Sequence, residues 1–266
     1  MKLYWKYYFF PFLYGIIFSW YASFLCKLPH FQIWEAVAVI NGGNLNNVNR
    51  EVVCAILQNY VPFLLFCIVF STYIYRHFCN CSVYFFTRCE NRIRWYMKEI
   101  IKLFGFSVLN SIVILSGYIF TGLIAKKMVF SLDQMWIVGW YISLYSIWCF
   151  SLTLMANILA ILKGSAFGIS IVFSVQAIIT LLLLTVNSKK ELSGSNLKHL
   201  IYNPVSYLVG NWYRVYWRGE KIMGVGSYNL SMTTGYAIWG SVCIAVVLFG
   251  MYVVHKAEII KSNKEI

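Results

Sequence analysis

The stretch Arg76–Lys102 reads RHFCNCSVYFFTRCENRIRWYMKEIIK and lies between two long uncharged runs, Val52–Tyr75 and Leu103–Ala125. Its charged side chains are six basic and two acidic residues: Arg76, Arg88, Arg92, Arg94, Lys98, Lys102, Glu90 and Glu99. An α-helix needs roughly 20 apolar residues to cross the hydrocarbon core of a bilayer. Both flanking runs are long enough, so the sequence predicts two membrane-spanning helices with this charged stretch between them at one membrane surface.

Six runs of this kind organise the whole chain, which is 60% hydrophobic and only 12% charged. Asp, Glu, Lys, Arg and His are absent from all six. Backbone groups in lipid must be hydrogen-bonded within the segment, and a helix achieves this in a single run. We therefore predict an all-α polytopic integral membrane protein that forms one transmembrane domain over residues 1–266. The predicted spans are residues 7–26, 52–75, 103–125, 134–162, 164–188 and 232–254.

The charges of the connecting segments bear on the orientation. The net charge of +13 indicates loops that are attracted to anionic lipid head groups rather than to nucleic acid. If the first residue is inside, the cytoplasmic segments carry 12 Lys and Arg and the outer segments carry 10, six of them after the fifth span. Two basic residues also precede the first span. We predict that both termini are cytoplasmic and that the membrane is the cytoplasmic membrane of a bacterium, because the frequent Ile, Phe, Tyr, Asn and Lys are typical of AT-rich genomes.

The charged stretch contains its own start signal for a helix. Thr87 and Glu90 match a capping box, in which each side chain bonds the backbone of the other residue. Apolar residues then recur at the spacing of one helical face: Ile93, Met97, Ile100, Ile101 and Phe104. The predicted helix starts near Arg88 and runs directly into the third span. Two interpretations of the stretch remain open, a membrane anchor of Arg and Trp side chains or a docking surface for a cytoplasmic partner.

A second helix is predicted in the connection after the fifth span. Asn203 is a good N-cap, and Pro204 suits the first helical position. Apolar residues follow at helical spacing: Val205, Leu208, Val209, Trp212, Val215 and Tyr216. We predict an amphipathic helix that begins at Asn203, reaches Tyr216 and lies at or within the outer leaflet. Another short surface helix is predicted over residues 31–38.

Few polar side chains lie inside the predicted spans. Asn110, Asn157 and Gln176 either bond helices together or line a substrate path, and Gly164 and Gly168 indicate close helix packing. Proton-coupled transport needs intramembrane carboxylates or His, and none is present. The sequence also has no phosphate-binding loop and no H-E-x-x-H motif, so neither ATP hydrolysis by that loop nor zinc hydrolase chemistry is expected. Cys79, Cys81 and Cys89 lack a fourth ligand at zinc-finger spacing, so we expect no metal or cofactor.

With these features the chain resembles the permease subunit of a bacterial ABC exporter of the type-two superfamily. The resemblance is in particular to small permeases for antimicrobial-peptide export or immunity. The resemblance covers the six-helix architecture and two short motifs. The first is basic and aromatic, with Phe85-Phe86-Thr87-Arg88, Arg92, Arg94-Trp95 and Lys98. The second is Asn203-Pro204-x-x-Tyr207 before the sixth span.

The resemblance implies a dimer of permeases, homodimeric or heterodimeric, with separate ATPase subunits, and a peptide or other amphipathic substrate. The segment between the second and third spans would be the coupling segment that docks onto the ATPase. Its docking residues would be Tyr84, Phe85, Phe86, Arg88, Glu90, Arg92, Arg94 and Trp95. The family often begins with an amphipathic helix, whereas six residues precede the first predicted span here, so we expect a reduced ATPase contact there. Two alternatives remain: a non-transporting immunity or assembly factor, and a membrane enzyme acting on lipid.

Overall fold

Seven α-helices, a helical end at residues 201–202 and one 3₁₀ helix make up most of the described part of the chain. The computed structural model describes residues 2–25, 31–32, 60–81, 92–124, 128–129, 135–187, 201–209, 213, 215–217, 220–223 and 230–256. The α-helices are α1 Lys2–Leu25, α2 over 60–70, α3 Tyr73–Cys81, α4 Arg92–Ile124, α5 Met135–Lys163, α6 Ser165–Asn187 and α7 Met232–Lys256. The 3₁₀ helix is Pro204–Leu208. Four strands of two to four residues complete the structure: β1 Phe31–Gln32, β2 Met128–Val129, β3 Val215–Trp217 and β4 Glu220–Met223.

Within the described residues, five helical segments are long and apolar enough to cross a membrane, as expected of a multi-pass membrane protein. They are Tyr60–Cys79, Arg92–Ile124, Met135–Lys163, Ser165–Leu182 and Met232–Lys256. The helix α1 has 24 residues and packs lengthwise on α4. The all-helical character predicted from the charge-free runs is therefore confirmed, and the strands are confined to short pairings between connecting segments.

Contacts between helices fix their directions. Tyr7 meets Asn110 and Ser19 meets Tyr118, so α1 and α4 are parallel. Both are antiparallel to α5, in which Phe150 contacts Phe104 and Ser146 contacts Ser111. The helix α7 is parallel to α5, since Tyr236 bonds Ser143 near the start of both and Gly250 lies by Ile158 near their ends. Successive long helices therefore alternate in direction.

This alternation brings Lys2, Cys81, Arg92, Lys163 and Lys256 to one end of the bundle, which we call the basic end. The opposite end, called the strand end, carries the parallel pair β1–β2 and the antiparallel pair β3–β4.

The helix α5 lies at the centre of the bundle. In its most apolar window 72% of the residues are buried, compared with 22% in α6 and 28% in α7. Aromatic side chains fill the space around it, and Trp148 of α5 packs on Phe63 with ring centroids 4.6 Å apart. The helices α6 and α7 instead direct large apolar side chains outward: Phe167, Val175, Ile178, Leu181, Leu182, Ile244, Leu248, Phe249 and Tyr252. These outward faces suit a lipid environment.

Glycines mark the closest helix crossings. A Cβ atom added to Gly117 of α4 would overlap the Phe12 carbonyl oxygen of α1, and one on Gly15 would overlap the Ile114 carbonyl oxygen. At the hairpin between α5 and α6, Gly164 has a φ of 98°, which side chains disfavour. One turn later Gly168 lies against the backbone of Ala156 and Ala160. The predicted close packing of Gly164-x-x-x-Gly168 is confirmed.

One predicted helix limit is wrong, and a second lies outside the described residues. The second helix was predicted to run unbroken to Tyr75, but it breaks at residues 71–72 and resumes as α3 through Cys81. Polar residues such as Arg76 and His77 do not end a helix where their side chains can reach water or a partner. The predicted start of α4 near Arg88 lies outside the described residues, and the described helix begins at Arg92.

The amphipathic helix predicted from Asn203 to Tyr216 is also wrong beyond its first turn. The chain forms a 3₁₀ helix over Pro204–Leu208, becomes extended at Val209, and enters strand β3 at Val215. Valine and aromatic residues favour strands, and β3 finds a partner in β4. The residues Phe31 and Gln32, predicted in a surface helix, form strand β1, and residues 33–38 of that helix lie outside the described residues.

Candidate functional site: the broken helix at the basic end

The break between α2 and α3 lies just inside the basic end. In an unbroken α-helix the Ile74 N–H would donate to the Phe70 carbonyl four residues earlier. Regular backbone bonding is present on either side, where Ser71 N donates to Cys67 O and Arg76 N donates to Thr72 O, each at 2.8 Å. The break is therefore confined to about one turn.

The side chain of Asn157, in α5, fills this break. Its Oδ1 accepts from Ile74 N at 2.8 Å and from Tyr75 N at 3.3 Å. Its Nδ2 donates to the Phe70 carbonyl at 2.8 Å and, within α5, to the Thr153 carbonyl at 2.8 Å. All four hydrogen-bonding positions of the amide are used, and the residue is fully buried. The amide therefore takes the place of the backbone bond between Phe70 and Ile74.

A second polar contact holds α3 against α4. Glu99 is buried, and its carboxylate accepts from Lys102 Nζ at 2.6 Å and lies 3.1 Å from His77 Nδ1. Lys102 is on the same helix as Glu99, whereas His77 belongs to α3. One end of α3 is thus held by Asn157 of α5 and its middle by Glu99 of α4.

The predicted docking residues divide between described and undescribed parts of the chain. Tyr84, Phe85, Phe86, Arg88 and Glu90 lie outside the described residues. The other three, Arg92, Arg94 and Trp95, form the first turn of α4 at the basic end.

These three side chains differ in exposure. Arg94 is exposed, Arg92 is half-buried, and the half-buried Trp95 packs against Phe78 of α3 with ring centroids 6.1 Å apart. The start of α4 and the amphipathic helix α3 are therefore in direct contact.

The three polar residues predicted as helix contacts or a substrate path are all buried, on three different helices. Asn110 accepts from Tyr7 Oη at 3.0 Å, and the Tyr7 ring lies 5.2 Å from Phe70. Asn157 bonds the Phe70 carbonyl, whereas Asn110 is linked to Phe70 only through the Tyr7 side chain. Gln176 belongs to a different place, a small cavity that Trp148 and the 3₁₀ helix also line. The structure does not bring the three into one continuous path among the described residues.

The segment before α7 forms a cap at the strand end. Asn203 Oδ1 accepts from Val205 N at 2.9 Å, and its Nδ2 donates to the Ile179 carbonyl of α6 at 2.9 Å, so the predicted N-cap is confirmed. Pro204 occupies the first position, and its carbonyl accepts from Trp239 Nε1 of α7 at 3.1 Å. The predicted Trp212 lies outside the described residues.

Two tyrosines complete this cap. Tyr207, one of the predicted residues, donates to the Ile201 carbonyl at 2.9 Å, and Tyr213 donates to the Tyr207 carbonyl at 2.7 Å. Burial raises the pKa of both hydroxyl groups above the ordinary tyrosine value, so both stay protonated donors. The cap is therefore fixed by neutral hydrogen bonds rather than by charge.

Sequence reasoning missed Glu99 and His77 as a buried contact and Asn157 as the residue that fills a helix break. The i, i+3 spacing of Glu99 and Lys102 is visible in the sequence, but the burial of Glu99 depends on α3 folding back onto α4. A Ser-Thr pair at 71–72 is a weak signal for a break, because both residues also occur in continuous spans. Comparison with models of protein families, with curated proteins and with solved structures finds no match to the chain. The resemblance to exporter permeases therefore depends on the residues quoted above.

Proposed function

We propose that the chain is the membrane-spanning subunit of an ATP-driven exporter, powered by a separate ATPase that docks at the basic end. The observation that carries the proposal is the anchoring of α3. This short polar helix leads into the aromatic stretch at 84–86 and is tied to two long helices, by Asn157 to α5 and by Glu99 to α4. A force applied to that stretch by a partner would reach the centre of the bundle through these ties.

Three further features support the proposal. The sequence has no phosphate-binding loop, so ATP would have to be hydrolysed on another subunit. The long helices alternate in direction, which fits six spans when α1 is counted with the five apolar helices. Both chain ends and the docking segment then lie on the same, cytoplasmic, side. The dimer and the amphipathic peptide substrate follow from the resemblance to exporter permeases.

The decisive experiment is co-expression of the chain with an ATPase subunit encoded beside its gene, followed by reconstitution in liposomes. The complex is expected to hydrolyse ATP and to move an amphipathic peptide across the bilayer, whereas the chain alone is expected to do neither. Hydrolysis by the chain alone, cleared of contaminants, would contradict the proposal. A neighbouring toxin gene without any ATPase, together with protection of the host from that toxin and no transport, would favour the immunity factor instead.

A further inference from the structure

The Asn157 amide bridges two backbone groups that would otherwise bond each other. Phe70 C=O and Ile74 N–H are partners in a continuous helix, and each is 2.8 Å from an atom of the same carboxamide. Insertion of a side chain into the backbone bonding is one of the few identified causes of a helix break. Here the inserted group comes from a neighbouring helix, not from α2 or α3.

Glycine, proline and a bond from the Ser71 hydroxyl to the backbone do not explain the break. No glycine occurs in residues 60–81, and the one proline there, Pro62, lies two turns before the break. A serine can break a helix by bonding the backbone itself, but the buried Ser71 hydroxyl has no hydrogen-bond partner. The adjacent backbone bonds, Ser71 N to Cys67 O and Arg76 N to Thr72 O, have normal lengths of 2.8 Å. The break is therefore attributable to Asn157.

We propose that Asn157 is the pin of a hinge in the second membrane helix, and that α3 changes its tilt about this side chain. With the amide inserted, the Phe70 and Ile74 backbone groups stay satisfied although they do not bond each other. With the amide withdrawn, the same two groups bond each other and the helix is continuous. Neither arrangement leaves the Phe70 carbonyl or the Ile74 N–H unpaired, which would be costly in the bundle. The two arrangements are therefore the end states of the hinge.

The hinge deepens the proposed function, and its role in export rests on that function. The aromatic stretch at 84–86 follows α3 directly in the chain. Tilting α3 would move that stretch relative to α5, so binding of a partner there would favour one of the two arrangements. The hinge itself is a property of the chain alone and is tested without any partner.

The test is amide hydrogen exchange, followed by mass spectrometry, on the purified full chain in detergent micelles. In Asn157→Leu the inserted amide is absent and the continuous helix is the only satisfied arrangement. We expect exchange of peptides covering residues 71–76 to slow about tenfold relative to the wild type, while the rest of the bundle is unchanged. The matched control is Gln176→Leu, which removes another buried amide whose Nε2 has no partner, and it should leave residues 71–76 unaffected.

If Asn157→Leu does not fold, a second variant tests the hinge. Ser71→Ala combined with Thr72→Ala places strong helix formers at the break and leaves Asn157 intact. Because the proposal assigns the break to Asn157, exchange at residues 71–76 should stay at the wild-type rate in this variant. Slowing by about tenfold in the alanine pair, or unchanged or faster exchange at these residues in a folded Asn157→Leu, would overturn the hinge. Neither result would bear on whether an ATPase partner exists.

Discussion

His77 Nδ1 lies 3.1 Å from Glu99 Oε2, and this contact joins α3 to α4 near the basic end of the bundle. The two side chains differ in exposure, with 40% for His77 and 6% for Glu99. The contact therefore has a buried acceptor and an accessible donor. A change at His77 can be compensated by water, whereas a change at Glu99 removes the acceptor that α3 and Lys102 share.

Glu99→Gln is expected to lower the stability of the folded bundle. The substitution keeps the size of the side chain but removes the charge that accepts from Lys102 and His77. Hydrogen bonds to charged groups typically contribute about 1.5–3 kcal/mol, so we expect a loss of that order in the free energy of unfolding. Thermal denaturation of the protein in detergent measures it.

Lys98→Gln is the matched control for this prediction. Lys98 is exposed on the same helix one residue earlier, and exposed substitutions usually change stability by less than about 0.5 kcal/mol. Equal melting temperatures for Glu99→Gln and Lys98→Gln would show that the buried carboxylate does not hold α3 in place.

Gly117→Ala is expected to separate α1 from α4. A Cβ at this position would overlap the Phe12 carbonyl oxygen and lie 3.2 Å from Ile16 N. Backbone atoms cannot rotate away as a side chain can, so the helices must move apart. Overpacking of this kind typically costs about 1–3 kcal/mol.

The same substitution at Gly105 supplies the control, because nothing lies within 4 Å of a Cβ there. Alanine is a better helix former than glycine by up to about 1 kcal/mol, so Gly105→Ala should be neutral or stabilising. Thermal melts of the two variants in the same detergent make the comparison. A Gly117→Ala protein as stable as Gly105→Ala would contradict the close crossing.

The membrane helices were predictable because the bilayer imposes a simple rule on sequence. Charge-free runs of sufficient length locate α4, α5, α6 and α7 to within a few residues at the ends that the structure describes, apart from the early start of α4 at Arg92. The hairpin at Gly164 was predictable too. Lys163 separates the two charge-free runs, and Gly164 and Gly168 lie at the start of the second run.

What the sequence did not predict depends on contacts between distant segments. The break at 71–72 coincides with insertion of Asn157, 83 positions after Ile74, and the broken helix itself carries only the weak signal of a Ser-Thr pair. Helical spacing also did not tell which face is buried. Met97, Ile101 and Phe104 of the apolar stripe are exposed, whereas Tyr96, Glu99 and Leu103 are buried. Ile100 of the same stripe is buried, so in this helix the apolar stripe is divided between the bundle and the outward face.

At the strand end, Asn203 variants should loosen the cap in two steps. Asn203→Asp keeps an oxygen that can accept from Val205 N but loses the donor to Ile179 O, and Asn203→Ala loses both bonds. Replacement of an N-cap by alanine typically costs about 1 kcal/mol, and the alanine variant should lose more than the aspartate variant. Limited proteolysis from the strand-end side of reconstituted vesicles measures local opening. Equal cleavage rates in wild type and Asn203→Ala would contradict the role of Asn203.

The six-span topology predicts opposite sides for two polar positions in connecting segments. Ser193 follows α6 and should be outside, whereas Asn91 precedes α4 and should be in the cytoplasm. Single cysteines at these positions, in a background without accessible native cysteines, are labelled by a membrane-impermeant thiol reagent in intact cells and after permeabilisation. Ser193→Cys should react in both cases and Asn91→Cys only after permeabilisation. Labelling of both in intact cells would exclude six spans.

The aromatic residues of the docking segment should matter more to the partner than the basic ones. In the proposed complex Phe85 and Phe86 enter an apolar cleft of the ATPase, while Arg92 meets acidic groups at the rim. A buried aromatic anchor typically contributes about 2 kcal/mol or more, which corresponds to roughly 30-fold in affinity. Rim charges mainly affect the rate of association.

Phe85→Ala with Phe86→Ala should therefore abolish recovery of the ATPase with the tagged chain, and Arg92→Ala should reduce it less. Simple membrane anchoring predicts that Arg92→Ala has the larger effect, because lipid phosphates bind Arg and do not depend on Phe. Pull-down of the co-expressed ATPase, with membrane insertion of each variant checked in parallel, separates the two. Unchanged recovery by a normally inserted double variant would show that the segment only anchors the chain, since no cleft would then be recognising its aromatic side chains.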